Sequence, residues 1–359
     1  MNYWPRVAVP ARNEATRLKR LFTSLSNQSW QSSTGRQLPL VIALNNCDDG
    51  SRQVLDDLVP RFPELDVMIA DVSFVPPAAH VGSARRLAME MALQGAAADD
   101  TRTVLMTTDA DADPAPNWVA ANLAAIEAGA DVVGGAIVAD REEEERLGPG
   151  FRKRAALHKT YMELADRLAG LIDPLPWDPM PRHYDHLGGS IAVKASAYKA
   201  VGGMRALPFR EDIDLIDRLR AAGARLRHDP AVRVMVSARL VGRARSGMAD
   251  CIRNWLMEEV EGRPHLVEDP MRIEERLIRR SAIRNADLQS AHGREELAHR
   301  LDIASRKLLT LTGRPASAEM LIQRFAPDDL DAPATVPVNV AIALIKQRIA
   351  ALEGKVHAA

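Results

Sequence analysis

Val104-Leu105-Met106-Thr107-Thr108 is an apolar run of strand character, and it leads without a spacer into Asp109-Ala110-Asp111-Ala112-Asp113. A chain with that join has few places to put it. The run must be buried, and the carboxylates must reach water or a cation. The carboxyl end of a strand in an open α/β sheet meets both demands, because ligands bind in the crevice beyond those strand ends. Crowded carboxylates repel one another unless a cation offsets them, and hard oxygen donors suit Mg2+ or Mn2+. The same segment also reads as a solvated Asp-rich turn that ends a strand and caps the helix starting near Pro116. Its neighbours decide between the two.

The chain has 359 residues and is 47% hydrophobic, enough for one large α/β domain or two smaller ones. With 47 basic and 48 acidic residues the net charge is −1, so no global field draws it to nucleic acid or an anionic membrane. Two cysteines, Cys47 and Cys251, support neither a disulfide framework nor a Cys-rich zinc site. A reducing compartment is the default, and Met1–Glu14 lacks the pattern of a signal peptide. No apolar run is long enough to span a bilayer; Ala130–Ala139 is too short. The expectation is a soluble, cytoplasmic protein.

The first half alternates short apolar runs with helical periods. Arg6–Val9, Leu38–Leu44, Asp66–Ala70, Thr103–Thr108 and Asp131–Val138 read as strands. Between them, Leu18/Leu21/Phe22/Leu25, Val54/Leu55/Leu58/Val59, Gly82–Leu93 and Trp118–Ala128 read as helices. This rhythm predicts a mostly parallel sheet covered by helices on both faces. After Asp140 the rhythm breaks. Asp140–Arg146 is a charge run, expected as a solvated helix start or loop, and Phe151–Leu171 is a helix. Asp173–Leu187 is a long loop rich in Pro, His and aromatics. Gly188–Lys194 is expected as a strand, Glu211–Ala222 as a helix and Arg225–Ser237 as one or two strands. From Met248 the chain is helical and charged, with Asp328–Pro337 as a linker and Val338–Leu352 as a last helix.

Motifs fall at the ends of successive strands: Pro10-Ala11-Arg12-Asn13-Glu14, Asn45-Asn46-Cys47-Asp48-Asp49-Gly50-Ser51, Asp109-Ala110-Asp111 and Arg210-Glu211-Asp212. Set in this order, they resemble the family 2 glycosyltransferases over about residues 5–255. That resemblance implies the GT-A fold, a Rossmann-like mixed, mostly parallel sheet flanked by helices, here with a helical C-terminal region. It implies a GT-A domain over 1–237, split into a nucleotide-sugar half (1–115) and an acceptor half (116–237), and a helical region over 238–359. It also implies a metal-dependent, inverting transfer of a hexose from a nucleotide-diphosphate sugar, UDP-linked by default, to a small or lipid-linked acceptor.

Residue by residue, the resemblance assigns Asp111 and Asp109 to the Mg2+ or Mn2+ ion, Asp111 first, with His228 as a candidate third ligand. Asp212 is the candidate general base, which takes the acceptor's proton, and Glu211 beside it would raise its basicity. Acids at a helix start also suit the helix dipole without any catalytic role. Pro10, Asn13 and Glu14 would form the nucleotide floor. Asn46 stands where the family usually has a base-reading Asp; its amide both donates and accepts, and Asp48 is a substitute. Arg85 would pair with phosphate or base. On the acceptor side stand Gly189 and Ser190, where small residues admit substrate, together with His186, Arg239 and Arg243. Each side chain has a plainer use as a cap, a core group or a solvated charge. Two rival functions stand beside transfer: a nucleotidyltransferase, which Pro10–Glu14 disfavours for want of glycine, and a silent nucleotide-binding or scaffold protein. The helical tail is a candidate dimer contact.

Overall fold

The computed structural model describes residues 3–96, 100–242, 247–309, 313, 315–328 and 334–356. The chain divides into two compact units: Met1–Gly148, Pro181–Leu219 and Ala224–Asn254 in the first, and Pro149–Met180, Arg220–Gly223 and Trp255–Ala359 in the second. This division differs from the 1–237 and 238–359 reading, because residues 149–180 group with the C-terminal helices.

In chain order the elements begin with β1 (Trp4–Ala11), α1 (Leu18–Ser26), α2 (Ser29–Thr34), β2 (Leu38–Asn45), α3 (Ser51–Leu58), β3 (Leu65–Val72) and α4 (Val81–Gln94). They continue with β4 (Thr103–Thr108), β5 (Asp113–Pro114), α5 (Trp118–Glu127), β6 (Val132–Ala139), α6 (Arg141–Arg146) and α7 (Pro149–Ile172). Next come β7 (Ser190–Lys194), α8 (Ala195–Ala200), α9 (Glu211–Ala221), β8 (Leu226–Val236) and α10 (Met248–Val260). The last are β9 (Leu266–Glu268), α11 (Pro270–Arg284), α12 (Ala291–Leu301), α13 (Ala318–Phe325), β10 (Thr335–Pro337) and α14 (Val338–Val356).

The first unit is built on an eight-stranded sheet of order β3-β2-β1-β4-β7-β6-β8-β5. Strands β1, β2, β3, β4, β6 and β8 run one way; β7 and β5 run against them. The sheet is mixed, mostly parallel and flanked by helices, as the GT-A resemblance implies. Alternate residues of each strand feed two cores. Val7, Val9, Leu40, Ile42, Val104 and Met106 meet Leu21, Phe22, Trp30 and Trp118 on one face. Ala8, Val41, Ala43 and Leu105 meet Ala84, Ala88, Met89 and Leu215 on the other. Both faces are dry, so the parallel strands read as unbroken apolar runs.

Two open expectations are settled here. The charge run Asp140–Arg146 forms α6, capped by Asp140, whose Oδ1 accepts from the amides of Glu142 and Glu143 at 3.0 and 3.2 Å. Arg225–Ser237 forms the single strand β8, with a register shift opposite Gly135 and Ala136.

The second unit is largely helical. Leu168 of α7, Ile273 and Leu277 of α11, and Ala341, Ile345 and Ile349 of α14 share one core. Ile283, Leu297, Leu301, Leu321 and Ile322 form another. Strands β9 and β10 pair antiparallel, so part of the expected linker is strand. His158 Nδ1 lies 3.0 Å from His265 Nε2, and both rings lean on Trp255. Burial first, then His158 and Arg154, pushes the His265 imidazole down to about 4. Among the described residues no helix is long and apolar enough to cross a membrane.

Candidate active site

The site is assembled at the carboxyl edge of the sheet, where β1, β2 and β4 end side by side. Asn13 and Asn46 take left-handed backbone conformations, φ 55° and 51°, which Asn tolerates better than most residues. Asn13 Nδ2 donates to Asp48 Oδ1 at 2.7 Å, and Asp48 N donates back to Asn13 Oδ1 at 3.0 Å. Glu14 N donates to Ser51 Oγ at 3.0 Å, and Ala15 N to Asp49 Oδ2 at 3.0 Å. The turns after β1 and β2 are therefore stitched into one platform. Burial raises the Asp49 carboxyl, but bonds from Ser51 and the Ala15 amide outweigh it and hold Asp49 below its ordinary range. Asn46 donates to Phe74 O at 3.0 Å and accepts from Phe74 N at 3.1 Å. The expected base reader thus spends its amide on the segment after β3, which it fixes in place. Pro10 pairs with Ala43 inside the sheet and is buried.

Arg85 of α4 is 4% exposed. Its Nη2 donates to Asp109 Oδ1 at 2.8 Å and its Nε to Glu211 Oε1 at 3.1 Å. Its Nη1 donates to Thr107 Oγ1 at 3.1 Å and Gly188 O at 2.8 Å. Burial opposes the charge, yet Asp109 and Glu211 keep the guanidinium firmly protonated. Arg85 was expected at the donor; the structure instead makes it a buried strut joining the end of β4, the start of α9 and the loop before β7. That loop needs glycine. A Cβ on Gly188 would lie 2.7 Å from Arg85 Nη2, and one on Gly189 would lie 3.2 Å from Ile137 and 3.4 Å from Asp109 Oδ2. Gly188 N donates to Asp212 Oδ2 at 2.6 Å, and Ile213 N to Asp212 Oδ1 at 2.8 Å. Glu211 is 4% exposed and tied to Arg85. Its charge is answered there, so it does not act as a bare like charge on Asp212.

Arg239, expected on the acceptor side, lies against Glu14 and Asp111. Its Nη1 is 2.7 Å from Glu14 Oε2, and its Nη2 is 2.5 Å from Glu14 Oε1 and 3.1 Å from Asp111 Oδ2. Burial first, then Asp109 and Glu14, pushes the Asp111 carboxyl up to about 6; Arg239 pulls the other way. The segment carrying Arg239 is pinned by Glu143 of α6. Glu143 Oε2 accepts from Ser237 Oγ at 2.7 Å and Ala238 N at 2.8 Å, while Oε1 meets Arg17 at 2.7 Å. Asp113 is engaged away from the metal candidates: Arg20 bonds Asp113 at 3.0 Å and Asp140 at 2.6 Å.

Two further expectations change. Ser190 is 1% exposed, and its Oγ accepts from Trp118 Nε1 at 2.9 Å, so it belongs to the core and not to an acceptor surface. His228 sits opposite Gly134, three residues into β8, in register through Ile191 of β7 with Thr107 of β4. Its Nε2 lies 3.1 Å from His186 Nδ1, and His183 stands 5.6 Å off, ring to ring. Among the described residues no three His, Cys, Asp or Glu side chains group as metal ligands, so the third-ligand role for His228 is not borne by the fold. Arg243 lies outside the described residues. Glu143, Arg17 and Arg20 went unread; the visible signal was Asp140 three residues ahead of Glu143, a helix start that fixes where Glu143 points.

The comparisons with known proteins point to a glycosyltransferase. Residues 6–174 match the model of Glycosyl transferase family 2. The match includes Pro10 through Asp111 and stops before Glu211 and Asp212. No curated protein matches the chain by sequence. Among solved structures, residues 1–349 of S. aureus TarS in complex with UDP are 15% identical, with 83% of this chain and 70% of that chain covered and a TM-score of 0.46. The chain spans 43% of the longer TarS chain. The mannosyltransferase PcManGT from Pyrobaculum calidifontis, in complex with GDP-Man and Mn2+, is 14% identical, with 100% and 80% covered and a TM-score of 0.48.

Proposed function

We propose that this edge binds a nucleotide-diphosphate sugar, UDP-linked in the first instance, and transfers its sugar with inversion to an acceptor hydroxyl. The observation that carries the reading is the placement of Asp109 between two sets of groups. Arg85 ties it to Glu211 and the Asp212 end of α9, and its charge also acts on Asp111, beside Glu14 and Arg239.

A divalent cation fits these residues. Asp111 is largely buried, and the charges of Asp109 and Glu14 already disfavour its ionised form. Mg2+ or Mn2+ is commonly held by one or two carboxylates plus substrate phosphate oxygens, so two aspartates are an adequate protein share. Asp111 and Asp109 would hold the ion, and when bound it would stabilise the negative charge of the departing diphosphate.

The rest is done by the chain. The Asn13–Asp48 and Asn46–Phe74 bonds hold the platform on which the nucleotide lies. Asp212 takes the proton as the acceptor oxygen bonds the anomeric carbon and the bond from that carbon to the diphosphate oxygen breaks. The Gly188 amide fixes the orientation of that carboxylate, which keeps free lone pairs for the hydroxyl. Glu211 anchors α9 to Arg85 and takes no proton.

Calorimetric titration of UDP, GDP, dTDP, CDP and ADP, with and without Mn2+, into wild type and Asp111→Asn tests this. Metal-dependent binding of one nucleotide, lost in the variant, is expected. Folded protein that binds none of them ends the reading.

A further inference from the structure

We propose that Arg239 is the resident counter-ion of Asp111, yielding it to the divalent cation and turning to the donor diphosphate, so that metal and nucleotide bind with positive coupling. The proposal rests on the transferase reading above and goes beyond it. Its ground is an ion pair that looks out of place: a guanidinium holds Glu14 through both oxygens and reaches Asp111 Oδ2 at 3.1 Å. Asp111 is where the cation would sit. A guanidinium and a divalent ion on one carboxylate repel each other, so the ion must displace Arg239 or bind weakly.

The surroundings allow the side chain to move while its backbone stays. Glu143 holds Ser237 Oγ and Ala238 N immediately before Arg239, and Arg17 holds Glu143. Arg239 N also donates to Ser237 Oγ at 3.3 Å. The pivot is therefore tethered at the site edge, and only a flexible stem separates it from the charged head. A guanidinium freed from one carboxylate finds an equally suited planar partner in a phosphate. The cation that releases Arg239 is the one that brings the diphosphate, and linkage makes the coupling reciprocal. Glu143 is then a positioning residue that acts through Arg239.

Mn2+ binding read from the free-ion electron paramagnetic resonance signal tests this, with and without UDP or GDP, in wild type, Arg239→Ala, Arg239→Lys and Arg239→Met. Allosteric couplings of this kind are about 5–150-fold. Removing the guanidinium is expected to tighten Mn2+ alone by about 5-fold or more, and to loosen Mn2+ in the presence of the diphosphate by a similar factor. Arg239→Lys keeps the charge and is expected near wild type for Mn2+ alone. Arg239→Met keeps the stem and serves if the alanine variant does not fold. Mn2+ binding unchanged or weakened in the folded neutral variants, with wild type still binding the metal and nucleotide together, overturns the coupling and leaves the transferase reading intact. Wild type that binds neither overturns both.

Discussion

The backbone amide of Gly188 lies 2.6 Å from Asp212 Oδ2, joining the loop before β7 to the first turn of α9. Since Gly188 O also accepts from Arg85 at 2.8 Å, one peptide segment carries the orientation of the proposed base and the position of the buried strut.

Asp212 and Glu211 are adjacent yet have different jobs, and substitution separates them. Asp212→Asn is expected to lower kcat by about 10²–10⁴-fold while leaving the affinity for nucleotide essentially unchanged. Glu211→Gln is expected to lower stability instead, because it removes a charge that Arg85 needs. Steady-state kinetics and denaturation midpoints on the two variants, side by side, check this; a kcat unaffected by Asp212→Asn contradicts it.

Arg85 is nearly inaccessible and meets two carboxylates. Breaking a buried pair by removing one partner costs about 3–5 kcal/mol, so Arg85→Ala is expected to approach that range in urea unfolding. Arg85→Lys keeps the charge but cannot make four directed bonds across Asp109, Glu211, Thr107 and Gly188, and is expected to recover only part of the loss.

Asp111 shows the opposite sign. Its carboxyl stands near 6 against an ordinary 3.8, so the folded state holds the proton longer than the unfolded one does. Stability from this group falls as pH rises from about 4 to about 6 and stays lost above that. Asp111→Asn is expected to raise metal-free stability at pH 7.5 by about 1–3 kcal/mol while abolishing metal-dependent nucleotide binding. A lower unfolding midpoint in the variant would count against the electrostatic account.

His265 provides the pH dependence of the second unit. Its folded value, about 4, lies below the ordinary 6.5, so the unfolded chain takes up a proton first as pH falls. Stability is expected to drop progressively between pH 6.5 and 4. Arg154 and His158 oppose the imidazolium, and Glu258, 4.0 Å from His265 Nδ1, is the nearest carboxylate in its favour. His265→Gln is expected to flatten this slope, read by circular dichroism during unfolding at pH 7.5 and 5.

Ser190→Ala is expected to act on stability and not on acceptor KM. It strands Trp118 Nε1, whose partner it is, at about 1–3 kcal/mol for an unsatisfied buried donor.

How far the chain could be read follows from how local each feature is. Strand β4 is legible from Thr103 to Thr108 because both of its faces are buried, and α1 because Leu18, Leu21, Phe22 and Leu25 keep a helical period. Ser29–Thr34 has no such period; its capping by Gln28 and Gln31 is visible only once folded. Strands β5, β9 and β10 are two or three residues long, too short to show alternation. The positions of Asp109 and Asp111 just after β4 and of Asp212 at the start of α9 were legible because strand and helix ends place them. The pairing of Arg239 with Glu14 was not legible because the two are 225 residues apart. The partners of His228 were not legible because only the fold reveals that it pairs with Gly134 and that its ring meets His186. Ser190 was misread because its neighbour Trp118 arrives from another helix.

Among the described residues, Glu14, Asp109, Asp111 and Glu211 at this edge are ion-paired with two guanidiniums, those of Arg85 and Arg239, and Asp212 takes backbone amides instead. Where those carboxylates outnumber their guanidiniums, charge bears on encounter as well as binding. A bare nucleoside diphosphate approaches against the field, so its association is expected to quicken as added salt screens the repulsion, the reverse of an ordinary anion site. Its complex with a divalent ion arrives with that charge largely cancelled and has little to gain from screening. The order in which the molecule meets its ligands is thus set by diffusion in its own field before any contact is made.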